Sequence, residues 1–304
     1  MRIDEHLAGA AEPVFSFEFF PPKTPEGEAN LYEAVAQLEP LKPAYVSVTY
    51  GAGGTTRGKT LDIVSRIRAE HGLEAMAHFT CVDATEAELR ETLDEMRERG
   101  LDNVLALRGD PPGGGEWTKT EGGLEYSTEL VTLIRGGYDF AVAAACFPET
   151  HIHATSPEDD LRHLKAKVDA GASFLITQLF FDNAFYFDFV ARARAIGIDV
   201  PIIPGVLPIT NIAQLERITS LCGATIPAPL MRELELRRDA PDAVADFGVA
   251  HATLQCAELL AGGAPGIHFY TLNRSHATRA ILSALKLARP WAPAPAAGAD
   301  AVTA

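Results

Sequence analysis

Cysteine is scarce in this sequence, and the few cysteines do not form a recognisable framework. The four are Cys81, Cys146, Cys222 and Cys256, which lie far apart and include no CxxC pair. A zinc site or a disulfide framework needs closer or more regular spacing, so neither is predicted. Cys81 and Cys146 lie inside or at the ends of apolar runs, which favours small buried thiols.

Basic residues are also in short supply. There are 26 Lys and Arg residues against 41 Asp and Glu residues, which gives a formal net charge of −15. A surface that binds nucleic acid needs clustered Lys and Arg, so this balance argues against a nucleic-acid partner. A phosphorylated cofactor is not excluded, because it needs only a few local donors.

Long apolar runs are missing as well. No window approaches 18 uninterrupted apolar residues, so no membrane-spanning segment is predicted. Residues 1–13 contain Asp4, Glu5 and Glu12 and lack the apolar stretch of a signal peptide. We therefore expect a cytoplasmic protein without membrane contact.

Two glycine-rich segments are present, but neither has the spacing of a nucleotide-binding loop. GAGG spans residues 51–54 and PPGGG spans residues 111–115, and neither fits GxGxxG at the start of a helix. The P-loop pattern is absent too. Any cofactor must therefore be held by a site of another kind, and the alternative is that both segments are simple rim loops.

The dominant pattern is an alternation of short apolar runs with longer segments of helical periodicity. The predicted strands span 14–20, 45–50, 74–80, 103–108, 139–147, 174–180, 201–207 and 266–272. A predicted helix follows each strand, and extra helical sequence at 230–237 and 242–260 lies between strands 7 and 8. Eight such units predict an α/β fold, a closed (β/α)8 TIM barrel with extra helices between those strands. An open doubly wound sheet is the alternative.

One catalytic domain is expected over residues 14–289. Residues 1–13 would form an N-terminal extension, and residues 290–304 an Ala/Pro-rich disordered tail. Helix starts are indicated by a capping-box pattern at Thr85 and by Ser156, which is followed by proline. The extra helices are candidate interfaces of a homo-oligomer, and solvated cover is the alternative.

Polar residues occur where the predicted strands end, which is where TIM barrels place their reacting groups. Glu18 lies within the run FSFEFFPP. A lone carboxylate in a strand covered on both faces is costly unless it has a function, although an outward-facing position is the alternative. Aromatic surroundings should raise the pKa of Glu18, which suits a general acid.

The other polar residues at strand ends each have a simpler interpretation. Asp110 precedes two prolines and is equally typical of a turn. Gln178 is equally consistent with a hydrogen-bonded buried amide. His78 is consistent with a packed core histidine, and Arg274 with a side chain that caps carbonyl groups at the barrel rim.

Six motifs occur in a fixed order along the chain: FSFEFFPPKT, VSVTYGAGG, AHFTC, LALRGDPP, ITQLFFD and HFYTLNR. Together they resemble the bacterial methylenetetrahydrofolate reductases, and the resemblance extends from about residue 15 to about residue 290. It implies a TIM barrel that binds FAD. In that family NADH or NADPH passes a hydride to N5 of FAD and leaves. Methylenetetrahydrofolate then binds in the same place and is reduced to 5-methyltetrahydrofolate, a ping-pong reaction of one-carbon metabolism that serves methionine synthesis.

The resemblance also implies roles for individual residues. Glu18 matches the general acid that protonates a folate nitrogen, and Asp110 matches a carboxylate that stabilises the cationic folate intermediate. The substrate-binding positions implied are Thr49 for the nicotinamide nucleotide and Gln178, Gln214 and Arg274 for folate.

The FAD-binding positions implied are Tyr50, Ala52, His78, Arg108, Gly109, Asp110, Tyr126, Ser127, His151, Ala154, Asp160 and Lys167. Three positions depart from the family pattern: His163 stands in place of Asn, Ala166 in place of Arg, and Phe147 in place of Tyr. We therefore expect weaker FAD binding, or phosphates held by other donors.

Two rival functions make different demands on these residues. A barrel enzyme that uses folate without flavin would not need Arg108, Gly109 and Asp110 to face a flavin ring. A non-catalytic scaffold would be expected to have lost site residues, whereas Glu18 and Arg274 are both present.

Overall fold

The computed structural model describes residues 1–50, 57–111, 115 and 117–292. Its strands all run parallel. They are β1 (Val14–Phe19), β2 (Tyr45–Val48), β3 (Ala75–Thr80), β4 (Asn103–Leu107), β5 (Ala141–Cys146), β6 (Phe174–Thr177), β7 (Ile202–Ile203), β8 (Gly205–Val206) and β9 (Gly266–Tyr270).

The barrel closes at the pair of short strands β7 and β8, which are separated only by Pro204. Strand β7 pairs with β6, while β8 pairs with β9. The sheet order, β7-β6-β5-β4-β3-β2-β1-β9-β8, therefore begins and ends on the same short stretch of chain. Pro204 has no N–H to donate, but its carbonyl accepts from the His268 amide at 2.9 Å. The predicted (β/α)8 barrel is confirmed, and the open doubly wound sheet is excluded.

Helices surround the barrel. They are α1 (Ile3–Gly9), α2 (Pro25–Leu38), α3 (Arg57–His71), α4 (Glu86–Glu98), α5 (Ser127–Gly137), α6 (Pro157–Asp169), α7 (Asn183–Ala195), α8 (Ile212–Cys222), α9 (Ala228–Glu235), α10 (Pro241–Ala261) and α11 (His276–Ala288), with a short 3-10 helix at Glu39–Leu41. Helices α9 and α10 are the predicted additions before the last strand. No helix in the described part of the chain is long and apolar enough to span a membrane.

The predicted helix starts are confirmed by hydrogen bonds. Thr85 and Glu88 form a reciprocal capping box at the start of α4. Ser156 accepts a hydrogen bond from the Asp159 amide at 3.1 Å at the start of α6. The predicted burial of the thiols of Cys81 and Cys146 is also confirmed.

Strand alternation divides the apolar residues into two layers. On β1, Phe17 and Phe19 are almost fully buried in the cluster that also contains Leu31 and Val35 of α2. The side chains between them point into the barrel, because successive residues of a strand face opposite sides. Glu18 therefore faces inward, and the alternative of an outward-facing carboxylate is wrong.

The N-terminal segment closes the lower end of the barrel. Ile3 of α1 is fully buried in the cluster that holds the inward-facing residues Tyr45 and Phe174. The Asn103 side chain fixes this segment: its Oδ1 accepts from the Ile3 amide at 2.8 Å, and its Nδ2 donates to the Met1 carbonyl at 2.9 Å. Residues 1–13 thus contribute a plug to the barrel, which periodicity in so short a segment did not reveal. At the other end of the chain, the Trp291 ring packs 5.8 Å from that of Phe15, and residues 293–304 lie outside the described residues.

Replacing Ile3 by Ala is expected to destabilise the protein by about 2–5 kcal/mol, because the smaller side chain would leave a cavity in a packed cluster. Urea unfolding followed by circular dichroism measures the change. Leu287→Ala is the matched control, since Leu287 is 88% exposed. An Ile3→Ala protein as stable as this control would show that the segment is not part of the cooperative core.

Candidate active site

The mouth of the barrel collects the polar residues that follow the strands. Glu18 lies on β1, Thr49 and Tyr50 follow β2, His78 and Thr80 lie on β3, Arg108–Asp110 follow β4, Gln178 follows β6 and Arg274 follows β9. All strands are parallel, so these positions meet at one end of the barrel. Ala52, a predicted flavin contact, lies outside the described residues.

Glu18 is the central group of this end of the barrel. Its Oε2 lies 3.2 Å from His78 Nε2 and 3.3 Å from His268 Nε2, and its side chain is only 16% exposed. The two imidazoles come from β3 and β9. One carboxylate oxygen is therefore held between two basic groups.

The predicted raised pKa of Glu18 is wrong. Burial does favour the neutral carboxyl, and it is the largest influence, but His78 and His268 together outweigh it. The attraction of both imidazoles, together with the hydrogen bond of His268, lowers the pKa of Glu18 from 4.5 to about 2. The sequence shows the three Phe neighbours of Glu18 but not the two distant imidazoles, which only barrel closure brings to the carboxylate.

His268 is a functional candidate that the sequence pattern did not reveal, although it lies within the motif HFYTLNR. It is fully buried, and its Nδ1 lies 2.7 Å from Ser16 Oγ. Tyr45 stacks on one side of the imidazole, and Tyr270 meets it edge-on. The available signal was a histidine in an otherwise apolar and aromatic strand.

The loop after β9 is locked onto the end of β1. The amide and hydroxyl of Thr271 both donate to the Glu18 carbonyl, at 3.3 and 2.5 Å. Asn273 pairs with the backbone of Phe20, accepting from its amide and donating to its carbonyl at 2.9 Å each. This clamp places the exposed Arg274 at the rim on the same wall as Glu18.

The other two predicted folate contacts lie in the loop after β6 and on α8. The Gln178 side-chain oxygen accepts from the Leu179 amide at 2.9 Å, which orients its amide group. Gln214 is half-buried in the first turn of α8, where its own amide donates to Asn211 Oδ1 at 2.8 Å. The predicted folate contacts therefore come from β1, β6, α8 and the loop after β9.

The predicted flavin contacts that the structure describes lie on β3, in the loops that follow β2, β4 and β5, and on α5 and α6. Two of these residues, Tyr50 and His78, carry buried polar atoms that have no hydrogen-bond partner among the described residues, and so does Thr80, which was not a predicted flavin contact: the atoms are Tyr50 Oη, His78 Nε2 and Thr80 Oγ1. His78 Nε2 is close to Glu18, but the angle does not make a hydrogen bond. Buried polar groups are normally paired, so these atoms fit a site that is completed by a ligand.

The backbone at Gly109 is closely packed against the end of β3. Its φ of +86° is in the left-handed region, and a Cβ there would lie 2.6 Å from Val82 Cγ1 and 2.9 Å from Thr80 Cβ. Gly109 holds Arg108 and Asp110 on either side of this close approach. The Arg108 guanidinium lies 5.3 Å from the Trp117 ring centroid.

The remaining predicted flavin contacts lie in the loop before α6, on α6 itself and at the start of α5. Asp160 Oδ2 accepts from the His151 amide at 3.0 Å, and the Ala154 amide donates to the His151 carbonyl at 2.9 Å. Lys167 donates to the Ala145 carbonyl at 2.7 Å, and burial of its ammonium group lowers the pKa of this lysine. On the neighbouring helix, Ser127 opens α5, and Tyr126 before it is 51% exposed.

Two of the three altered family positions lie on the exposed face of α6. His163 is exposed and lies 3.5 Å from Asp159 Oδ1, and Ala166 is exposed as well. The third altered position, Phe147, packs edge-on against His151, with the two ring centroids 4.6 Å apart.

A cavity of about 430 Å³ lies among the helices outside the barrel. It is formed by residues of α7, α9 and α10 with the segment before α7, including Phe181, Phe247 and His251. None of the predicted site residues lines it, so it is separate from the site at the barrel mouth.

The closed parallel barrel defines this chain as a TIM-barrel protein. At one end of the barrel lie a buried carboxylate, two imidazoles and several unpaired polar atoms of the described residues. These groups indicate a ligand site at the barrel mouth. The family model for methylenetetrahydrofolate reductase matches residues 2–286. The chain therefore belongs to the methylenetetrahydrofolate reductase family.

Two curated relatives indicate how much of the family architecture this chain covers. It is 41% identical over 285 residues to methylenetetrahydrofolate reductase (NADH) 1 of Arabidopsis thaliana, covering 90% of this chain but only 48% of that protein. It is 42% identical over 271 residues to 5,10-methylenetetrahydrofolate reductase of Escherichia coli K12, covering 89% and 90% of the two chains. The chain thus spans about half the length of the plant relative and most of the bacterial one.

A solved structure with a similar fold is an uncharacterized Clostridium thermocellum protein that binds two copies of 5-methyl-5,6,7,8-tetrahydrofolic acid. The TM-score is 0.60 at 17% identity, with 94% of this chain and 98% of that chain covered. At this identity the likeness supports the barrel fold alone.

Proposed function

We propose that this protein reduces 5,10-methylenetetrahydrofolate to 5-methyltetrahydrofolate with NAD(P)H as electron donor and FAD as cofactor. The observation that carries the proposal is the inward-facing Glu18, held between His78 and His268 in a chain of this family. When bound, FAD would supply a hydride acceptor and donor, so that nicotinamide oxidation and folate reduction occur as separate half-reactions.

FAD would be held along β2 to β5. The unpaired atoms of Tyr50 and Thr80 offer hydrogen bonds to it, and Arg108 offers positive charge for its phosphates. Asp160 has one carboxylate oxygen engaged by the His151 amide, which leaves the other as an acceptor for a ribose hydroxyl. Lys167 is committed to the Ala145 carbonyl, so its contribution to the phosphates would be through charge.

Glu18 would act as the general acid of the folate half-reaction. Its proton moves to the folate nitrogen as the carbon–nitrogen bond breaks, and the electron pair of that bond stays on nitrogen. The carboxylate left behind is stabilised by the imidazoles beside Oε2. Because the two imidazoles lower the pKa of Glu18 without folate, the carboxyl group would take up its proton when folate binds.

Asp110 and the folate wall would complete the reaction. An exposed carboxylate after β4 can offset the positive charge that develops on the opened folate. On the opposite wall, Gln178 and Gln214 offer amide groups to the pterin part, and the exposed Arg274 suits the carboxylates of the folate tail. Thr49 would contact the nicotinamide nucleotide at the end of β2.

The proposal is tested by adding NADH and NADPH separately to the purified protein under anaerobic conditions. We expect a yellow protein that releases FAD on denaturation and is bleached by a reduced nicotinamide nucleotide. NADH is the expected donor, because the plant relative is named for it. Protein that stays colourless after incubation with FAD would contradict the proposal and favour a flavin-free folate enzyme. Bleaching by neither nucleotide would contradict NAD(P)H as donor.

A further inference from the structure

A buried chain of polar groups lies below Glu18 and is not explained by its role as an acid. Ser16 and His268 are paired neighbours on β1 and β9, and both are fully buried. Ser16 Oγ lies 2.7 Å from His268 Nδ1, and His268 Nε2 lies 3.3 Å from Glu18 Oε2. The three groups form a continuous path from the barrel interior to the carboxylate.

His268 differs from His78 in how it is held. His78 approaches the same oxygen at 3.2 Å without hydrogen-bond geometry, and its Nε2 has no partner in the described part of the chain. His268 has a hydrogen-bonding partner at each ring nitrogen and aromatic rings of Tyr45 and Tyr270 against it. A side chain confined in this way keeps a fixed orientation.

We infer that His268, itself held by Ser16, is a positioning residue that fixes Oε2 of Glu18 and leaves Oε1 to face the folate. This inference rests on the proposed function. Among the described residues, no hydrogen bond to Oε1 is found, in contrast to Oε2. Fixing one oxygen removes the rotational freedom that would otherwise misdirect the proton, and misplacement of a reacting group by about 1 Å can cost roughly a hundredfold in rate.

The serine hydroxyl allows the imidazole to keep this position in both of its charge states. A hydroxyl can donate to Nδ1 of a neutral ring or accept from Nδ1–H of a charged ring. The groups that face Glu18 are His78 from β3, His268 and Tyr270 from β9 and, more distantly, Tyr45 from β2. Of these, the two imidazoles lower the pKa of the carboxyl, so loss of His268 should raise it while burial persists.

The first test compares His268→Gln and Ser16→Ala with wild-type holoenzyme, using His251→Gln of α10 as matched control. Stopped-flow absorbance measures flavin reduction by NADH and flavin reoxidation by methylenetetrahydrofolate separately. We expect His268→Gln to slow the folate half-reaction by at least roughly tenfold, Ser16→Ala to slow it less, and neither to change the NADH half-reaction. Equal slowing of both half-reactions, or none, would overturn the inference.

The second test needs neither flavin nor folate. Carbon-13 NMR of glutamate-labelled protein follows the side-chain carboxyl of Glu18, which is assigned by its disappearance in Glu18→Gln. We expect the pKa of Glu18 to rise by about one unit or more in His268→Gln and to stay at the wild-type value in His251→Gln. An unchanged pKa would overturn the inference even if the proposed reaction is confirmed. Absence of folate reduction by the wild type would instead refute the proposed function.

Discussion

Replacing Glu18 by Gln is expected to slow methylenetetrahydrofolate reduction by roughly 10²–10⁴-fold, the usual contribution of a general acid. Gln keeps the size of the side chain and its hydrogen-bonding capacity, but it has no acidic proton. Flavin reduction by NADH should continue, because that half-reaction needs no proton from Glu18. Stopped-flow absorbance under anaerobic conditions separates the two steps.

Glu98→Gln is the control for this experiment, because it makes the same chemical change at an exposed position of α4. The control should retain the wild-type rates of both half-reactions. Undiminished folate reduction in Glu18→Gln would remove Glu18 as the acid without challenging the family membership. Loss of both half-reactions would indicate damage to the cofactor site instead.

Replacing Gly109 by Ala is expected to weaken FAD binding strongly. The added Cβ meets Val82 Cγ1 at 2.6 Å and Thr80 Cβ at 2.9 Å, on a backbone with φ of +86°. The segment can relieve this strain only by moving Arg108 and Asp110 from their places. A residue held in such a conformation costs about 1–3 kcal/mol, and each 1.4 kcal/mol corresponds to about tenfold in affinity.

Fluorescence titration of the flavin-free protein with FAD measures this effect. Gly136→Ala is a suitable control, because no atom lies within 4 Å of a Cβ at that position of α5. We expect Gly136→Ala to bind FAD as the wild type does. If Gly109→Ala also bound FAD normally, residues 108–110 would not be part of the flavin site.

The barrel itself was predictable from the sequence because each unit repeats the same contrast between an apolar run and a helical segment. Strand ends were less predictable. The sixth strand was expected to reach residue 180 but ends at Thr177, and the apolar residues Leu179 and Phe180 pack in the connection to α7. Apolar residues indicate that a segment is buried, but the length of a strand depends on how many residues the neighbouring strand can pair with. Strand β7 has only two residues to pair with β6.

The position of Glu18 was predictable, but its charge state was not. Residues adjacent to it in the sequence are aromatic and suggest a raised pKa, whereas its spatial neighbours include two imidazoles 60 and 250 positions away. Pairing of β9 with β1, from opposite ends of the chain, is needed to bring His268 to the carboxylate. Contacts between residues so far apart in the sequence produce no periodic pattern near either residue, so the sequence does not reveal them.

The roles of Arg274, Gln178 and Gln214 were assigned by resemblance, and the fold places all three on the same side of the barrel as Glu18. That arrangement follows from the strand order. Strand β6 is next to β7, β8 is next to β9, and β9 is next to β1. The predicted flavin contacts follow β2 to β5 on the other half of the barrel. In the proposed reaction, this strand order would place flavin and folate on different sides of Glu18.

The central claim, folate reduction in two separate half-reactions at one site, is tested most directly by a reaction in two steps. The holoenzyme is reduced anaerobically with NADH, freed of nucleotide by gel filtration, and mixed with methylenetetrahydrofolate. We predict that the flavin colour returns and that about one 5-methyltetrahydrofolate forms per flavin, as expected for a ping-pong reaction. Product that forms only while NADH is present, or no product at all, would contradict the proposed reaction.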